Sequence, residues 1–155
     1  MSRRRPRWLL DAERDHVGPA ATVMALTRGP LGRRAALTGL ASTAVTSAVV
    51  NLAVKPLARR RRPDVVALGV PLARQVRMPA SRSLPSGHAA SAFAFATGAG
   101  HVLGPEGAPL RGLAALVAYS RIHTGVHFPG DVVAGSLIGT VCAQAVTQAL
   151  DRRRG

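Results

Sequence analysis

"AALTGLASTAVTSAVVNLAV", residues 35–54, runs for twenty positions without a charge in a chain whose 21 basic and 7 acidic side chains give a net charge of +14. As a helix rising 1.5 Å per residue it is long enough to cross the hydrocarbon of a bilayer, about 30 Å. Its polar side chains are ordered: Thr38, Ser42 and Thr46 recur every four residues, and so do Thr43, Ser47 and Asn51. Such rows make a hydroxyl-bearing face suited to helix–helix contact. The stretch reads as a spanning helix, with an amphipathic helix of a soluble protein as the alternative.

Three further segments read as helices. Ser86–Leu103 places Ala90, Ala94 and Gly98 four apart, and its His101 reads as reaching an interface or a partner rather than a metal. Pro109–Tyr119 is shorter and carries Arg111 near its start. Val132–Leu150 is uncharged and sets Gly135, Gly139, Ala143 and Thr147 along one stripe. With 47% hydrophobic but only 3% aromatic residues, the composition suits closely approaching helices. The expected fold is an all-α membrane helical bundle of three to four spanning helices.

The expected organisation is a basic N-terminal segment, 1–31, without assigned structure, a membrane domain over 32–151, and a basic tail, 152–155. Ala20–Leu26 is too short to span alone, and Gly29-Pro30 ends it. The N-terminal arginines suggest a signal peptide, but Asp11, Glu13, Arg14 and Asp15 interrupt any apolar run after them, so no cleaved signal is expected. Cys142, the single cysteine, excludes an internal disulfide and a cysteine metal cage and reads as a small core residue.

If consecutive helices run up and down, the end of the first, the start of the second, the end of the third and the start of the fourth share one level. Every candidate chemical residue falls there. Lys55, one lysine against 20 arginines, and Arg62 could grip a phosphoryl group, one as a compact ammonium and the other as a planar fork. Arg59, Arg60 and Arg61 read instead as positive membrane flank. Pro85-Ser86-Gly87-His88 opens the second helix, where free N–H groups hold anions. Ser86 could be a nucleophile with His88 as base, but adjacent helical side chains do not face each other. The better reading gives Ser86 and the Gly87 N–H to phosphate oxygens and leaves His88 to move a proton. In Ser120–Asp131, Arg121 is a further anion ligand, and His127 lies four residues before Asp131, a carboxylate that could fix its tautomer. His123 and His127 could pair on a metal only on a regular helix, which Gly125, Pro129 and Gly130 argue against.

Together, Lys55-x6-Arg62-Pro63, Pro85-Ser86-Gly87-His88 and Ser120-Arg121-x5-His127-x3-Asp131 resemble the three-part signature of the type 2 phosphatidic acid phosphatase superfamily. That family includes membrane lipid phosphatases, bacterial class A acid phosphatases and vanadium haloperoxidases. The resemblance implies that His127 is the nucleophile forming a phosphohistidine and that Asp131 orients it. It implies that His88 protonates the leaving oxygen and then activates water, while Lys55, Arg62, Ser86, Gly87 and Arg121 hold the phosphoryl oxygens. Ser120 belongs to the signature without an expected part in the chemistry. No metal and no cofactor is implied. Membrane members commonly have about six spanning helices, so a bundle of three to four leaves room for a homo-oligomer or a partner to complete it.

The expected function is an integral, multi-pass membrane phosphatase acting on a lipid phosphate or pyrophosphate. Polyprenyl (pyro)phosphates, phosphatidic acid and phosphatidylglycerol phosphate are the candidate substrates. A soluble phosphatase or vanadate-dependent haloperoxidase of the same family is the alternative, opposed by the uncharged segments. A basic polyanion binder is the lesser one; it has no use for His127 and Asp131, so no nucleic-acid partner is expected. The positive-inside rule puts both arginine-rich termini in the cytoplasm and the site on the outer side, against the basic charge of the motif-side loop.

Overall fold

A computed structural model describes residues 17–58, 60–64, 69, 71, 82–153 and 155, and among these the regular structure is entirely helical. Helix α1 is Val17–Thr27. Helix α2, Gly29–Ala48, runs on without a break through a π-helical segment, Val49–Val54, and a last α-turn, Lys55–Leu57. Then come α3 (Gly87–Leu103), a 3-10 turn (Gly104–Gly107), α4 (Ala108–His123) and α5 (Pro129–Arg152). Pro30, Pro109 and Pro129 sit in the first turns of α2, α4 and α5, where the missing N–H costs nothing. Gly104, at φ +60°, ends α3.

Helix α3 is central and packs against α2, α4 and α5. The small-residue rows make this possible. Thr38, Ser42 and Thr46 of α2 are buried, as are Ala90, Ala94 and Gly98 of α3 and Gly135, Gly139, Ala143 and Thr147 of α5. The helices approach so closely that a methyl group would not fit between them. A Cβ on Gly139 would lie 2.2 Å from the Ala90 carbonyl oxygen, and one on Gly98 would lie 2.4 Å from Ser42 Oγ. The second row of α2 is less enclosed: Thr43 and Ser47 are half-buried and Asn51 is exposed.

The outside of the bundle is apolar. Leu37, Leu52, Leu116, Leu137 and Val141 are among the large hydrophobic side chains left exposed. Lipid accepts such a surface without the roughly 1.5–3 kcal/mol that each side chain would forgo by staying in water. Two helices, Gly29–Leu57 and Pro129–Arg152, are long and apolar enough to cross a membrane, while α3 and α4, with 17 and 16 residues, are shorter. The all-α expectation holds, and several boundaries move; the first spanning helix runs over Gly29–Leu57 rather than 35–54. The segment left unassigned before residue 32 contains α1, whose Ala21 and Met24 pack with Ala35, Ala36, Phe95, Ala99 and Leu103. The third helix extends to His123, and the fourth starts at Pro129.

The up-and-down course brings the expected four helix ends together. The Ser86 N–H donates to the Asp131 carbonyl at 2.9 Å, and the Ser83 N–H to the Arg60 carbonyl at 3.1 Å. At the far end Arg28 pairs with Glu106, and His101 Nε2 lies 2.9 Å from Asp151 Oδ2. His101 therefore meets the last turn of α5.

Candidate active site

Lys55 continues the row Thr43, Ser47, Asn51. In a regular α-helix each four-residue step drifts by about 40° around the axis. The π turns of Val49–Val54 underwind the helix and oppose that drift. Lys55 Nζ donates to Asn51 Oδ1 at 3.0 Å, and Asn51 Nδ2 to the Ser47 carbonyl at 2.9 Å. The ammonium stands beside the start of α3: a Cβ on Gly87 would lie 3.7 Å from Lys55 Nζ.

Ser86 is the N-cap of α3, its Oγ accepting from the Ala89 N–H at 3.5 Å, and it is fully buried. Capping is a duty the sequence reading did not give it. Helix α5 crosses directly over it, so that a Cβ on Gly135 would lie 2.4 Å from the Ser86 carbonyl oxygen. Gly87 and His88 follow in the first turn, both half-buried.

Helix α4 delivers Arg121 on its last turn. Arg121 Nε donates to Ser120 Oγ at 3.0 Å, and that hydroxyl donates to the Val117 carbonyl at 2.7 Å. Ser120 thus holds a guanidinium. Gly125, at φ +71°, then turns the chain back in a conformation open to glycine, and the His127 N–H reaches the Arg121 carbonyl at 3.2 Å.

His127 is buried. Arg62 Nη1 lies 3.1 Å from His127 Nε2 and also donates to the Val126 carbonyl at 2.9 Å. A guanidinium only donates, so Nε2 accepts and the ring proton is assigned to Nδ1. Nδ1 stands 3.7 Å from Asp131 Oδ2, outside hydrogen-bond range. Burial, joined by the Arg62 guanidinium, pushes the His127 imidazole down to about 4; Asp131 pulls it up and His88 adds to the fall. The ring is therefore neutral near pH 7 and keeps a lone pair on Nε2.

The Asp131 carboxylate is completely buried. Its Oδ2 accepts from the Phe128 N–H at 3.0 Å and from the Ser83 hydroxyl. Its Oδ1 accepts from Arg60 Nη1 at 3.2 Å. The Arg60 guanidinium lies 4.2 Å over the Phe128 ring.

The eight residues expected at the site all lie at this end of the bundle: Lys55 beside Gly87, Arg62 against His127, His127 against Asp131, Ser86 bonded to the Asp131 backbone, His88 in the next position and Arg121 at the end of α4. The two histidines of the metal alternative stand in different settings. His123 is exposed on α4 with its ring 5.7 Å from that of Tyr119, whereas His127 is buried in the loop beyond the helix. Among the described residues no three His, Cys, Asp or Glu side chains gather. Arg60 departs from the flanking reading, since it is tied to a buried carboxylate; Arg61 is exposed, and Arg59 lies outside the described residues. Local sequence gives no signal for Arg60 or Ser83. Asn51, expected only as part of a helix–helix contact face, stands one four-residue step before Lys55, and that spacing is the signal that could have found it.

The family model of the PAP2 superfamily matches residues 35–154. The decaprenylphosphoryl-5-phosphoribose phosphatase of Mycobacterium tuberculosis is 38% identical over 118 residues, covering 76% of this chain and 62% of that protein. The undecaprenyl-diphosphatase of Sulfolobus acidocaldarius is 44% identical over 66 residues, 40% of this chain and 31% of that protein. The chain thus spans less than two thirds of the length of these curated relatives. The crystal structure of Aquifex aeolicus LpxE superposes with a TM-score of 0.61 at 28% identity, covering 94% of this chain and 88% of that one. The transmembrane PAP2 type phosphatidylglycerolphosphate phosphatase of Bacillus subtilis shares the fold, with a TM-score of 0.59 at 23% identity over 96% of this chain and 71% of that one.

Proposed function

The chain belongs to the PAP2 superfamily, and from that membership we propose an integral, multi-pass membrane phosphatase that removes a phosphoryl group from a lipid through a phosphohistidine on His127. The observation that carries the reading is the His127 ring itself, with Arg62 3.1 Å from Nε2 and the Asp131 carboxylate 3.7 Å from Nδ1.

Lys55, Arg62, Ser86, Gly87 and Arg121 hold the phosphoryl oxygens, and the donors of Arg62 pass from Nε2 to those oxygens as substrate binds. Nε2 attacks phosphorus; the N–P bond forms as the P–O bond to the lipid breaks, and His88 gives its proton to the leaving oxygen. His88 then takes a proton from water, whose oxygen attacks phosphorus and breaks the N–P bond. Asp131 balances the positive charge that the ring carries in between. No metal and no cofactor takes part.

The substrate class is a phosphorylated membrane lipid. Two similar proteins are named for decaprenylphosphoryl-5-phosphoribose and undecaprenyl diphosphate, which favours a phosphorylated polyprenyl lipid over phosphatidic acid or phosphatidylglycerol phosphate. The C-terminal turn of α5 lies at the end of the bundle away from the site. With the C-terminal arginines in the cytoplasm, the site faces the outer side. A second copy or a partner completes the bundle.

Phosphate release from a panel of these lipids in detergent, with a chelator present, tests the reading. Wild type is expected to be active and His127→Ala to lose at least about a thousandfold. Activity that dies with chelator or survives the substitution refutes it.

A further inference from the structure

We propose that Arg60 and Ser83 are positioning residues that clamp the Asp131 carboxylate from two sides so that its Oδ2 stays turned to the His127 ring. The inference rests on the proposed phosphohistidine chemistry but concerns two residues outside the signature that defines the site.

A fully buried carboxylate is costly unless its lone pairs are met. Asp131 meets them with three donors from separate parts of the chain: Arg60 on Oδ1, and the Ser83 hydroxyl and the Phe128 N–H on Oδ2. The two side-chain donors are themselves joined, because the Ser83 N–H donates to the Arg60 carbonyl at 3.1 Å. The result is a closed circuit of Arg60, Ser83 and Asp131 that ties together the stretches before Arg62, before Ser86 and after His127. Arg60 is seated firmly in it: its guanidinium lies 4.2 Å over the Phe128 ring, and a Cβ on Gly130 would come within 3.6 Å of its Nη1.

The geometry separates this arginine from Arg62. Arg62 faces the Nε2 side of His127, where a phosphoryl group is attacked, whereas Arg60 reaches the carboxylate on the other side of the ring. Arg60 therefore acts through Asp131. With the carboxylate held, the 3.7 Å from Nδ1 to Oδ2 closes to a hydrogen bond as the ring gains charge, and without the clamp the carboxylate rotates away.

The test uses the full chain in detergent micelles with farnesyl diphosphate and phosphatidic acid as probes. Arg60→Gln and Ser83→Ala are each expected to lower kcat by about tenfold or more while KM stays within about twofold, and Ser83→Thr, which keeps the hydroxyl, is expected to recover most of the rate. In an Asp131→Asn background neither change should lower the rate further, because both act through that carboxylate. A second readout needs no turnover: the 15N resonances of the His127 ring should shift in both variants. A raised KM with kcat kept would make Arg60 a substrate ligand and overturn the proposal. So would losses that add fully to that of Asp131→Asn, or a ring spectrum and kcat unmoved in both variants. A wild type that hydrolyses neither probe while the ring spectrum still responds would sink the hydrolytic reading and leave the clamp standing. Arg60 is half-exposed, so its variant stays informative where Ser83→Ala fails to fold.

Discussion

Arg62 Nη1 sits 3.1 Å from Nε2 of His127, a guanidinium aimed at the lone pair of a buried imidazole. The contact does two things at once. It selects the tautomer with the proton on Nδ1, facing Asp131, and it opposes protonation of the ring.

The first prediction is therefore a titration. His127 is held at about 4, below the ordinary histidine value, by burial and then by Arg62. The unfolded chain takes up this proton first as the pH falls. The stability tied to a neutral His127 is thus complete above about pH 6.5 and is lost progressively as the pH drops toward 4. NMR of the ring should show it neutral at pH 5.5, and Arg62→Gln should move its titration upward. A wild-type ring that titrates near 6.5 would refute this.

The second prediction concerns the floor of the site. Helix α5 can cross Ser86 and Ala90 because Gly135 and Gly139 have no side chains, and an added methyl would meet the backbone at 2.4 and 2.2 Å. Backbone cannot swing aside as a side chain can. Gly135→Ala and Gly139→Ala should each cost about 1–3 kcal/mol, read as a lower unfolding midpoint in detergent. Gly135→Ala should also depress turnover further at equal occupancy of the folded state, because it displaces the N-cap that sets Gly87 and His88.

Sequence made much of this legible for a physical reason. A helix repeats every 3.6 residues, so rows such as Gly135, Gly139, Ala143 and Thr147 disclose a contact face without any knowledge of the partner. The site residues were legible because their chemical types stand at helix ends, where anions are held. The clamp on Asp131 was not, since Arg60 and Ser83 lie 71 and 48 residues from it and a basic run reads as solvated charge until the chain is folded. The π segment was hidden too, because Val49–Val54 is apolar apart from Asn51, which reads as one more member of a polar row on an ordinary helix.

The third prediction is a contrast. The pairs Arg28–Glu106 and His101–Asp151 lie at the end of the bundle away from the site, with every side chain roughly half exposed. Exposed pairs contribute less than about 1 kcal/mol. Glu106→Gln and His101→Gln should leave turnover unchanged and barely move the unfolding midpoint. A loss of activity in either would mean that the two ends are coupled.

The last prediction follows Lys55 down its own helix. Its ammonium is oriented by Asn51 Oδ1 at 3.0 Å, and Asn51 is held in turn by the Ser47 carbonyl. An ammonium on a four-carbon stem has many rotamers, and Asn51 selects the one that brings it to Gly87. Asn51→Leu fills a similar volume without the acceptor. It should raise KM about three- to tenfold with a smaller effect on kcat, the pattern of a weakened hold on the phosphoryl group. Lys55→Arg should not restore what Lys55→Ala loses, because the bulkier fork meets α3 where only 3.7 Å separates Nζ from the Cβ position of Gly87. Steady-state kinetics on the four proteins decides it: an Asn51→Leu enzyme with wild-type KM would show that the Lys55 ammonium finds its place unaided.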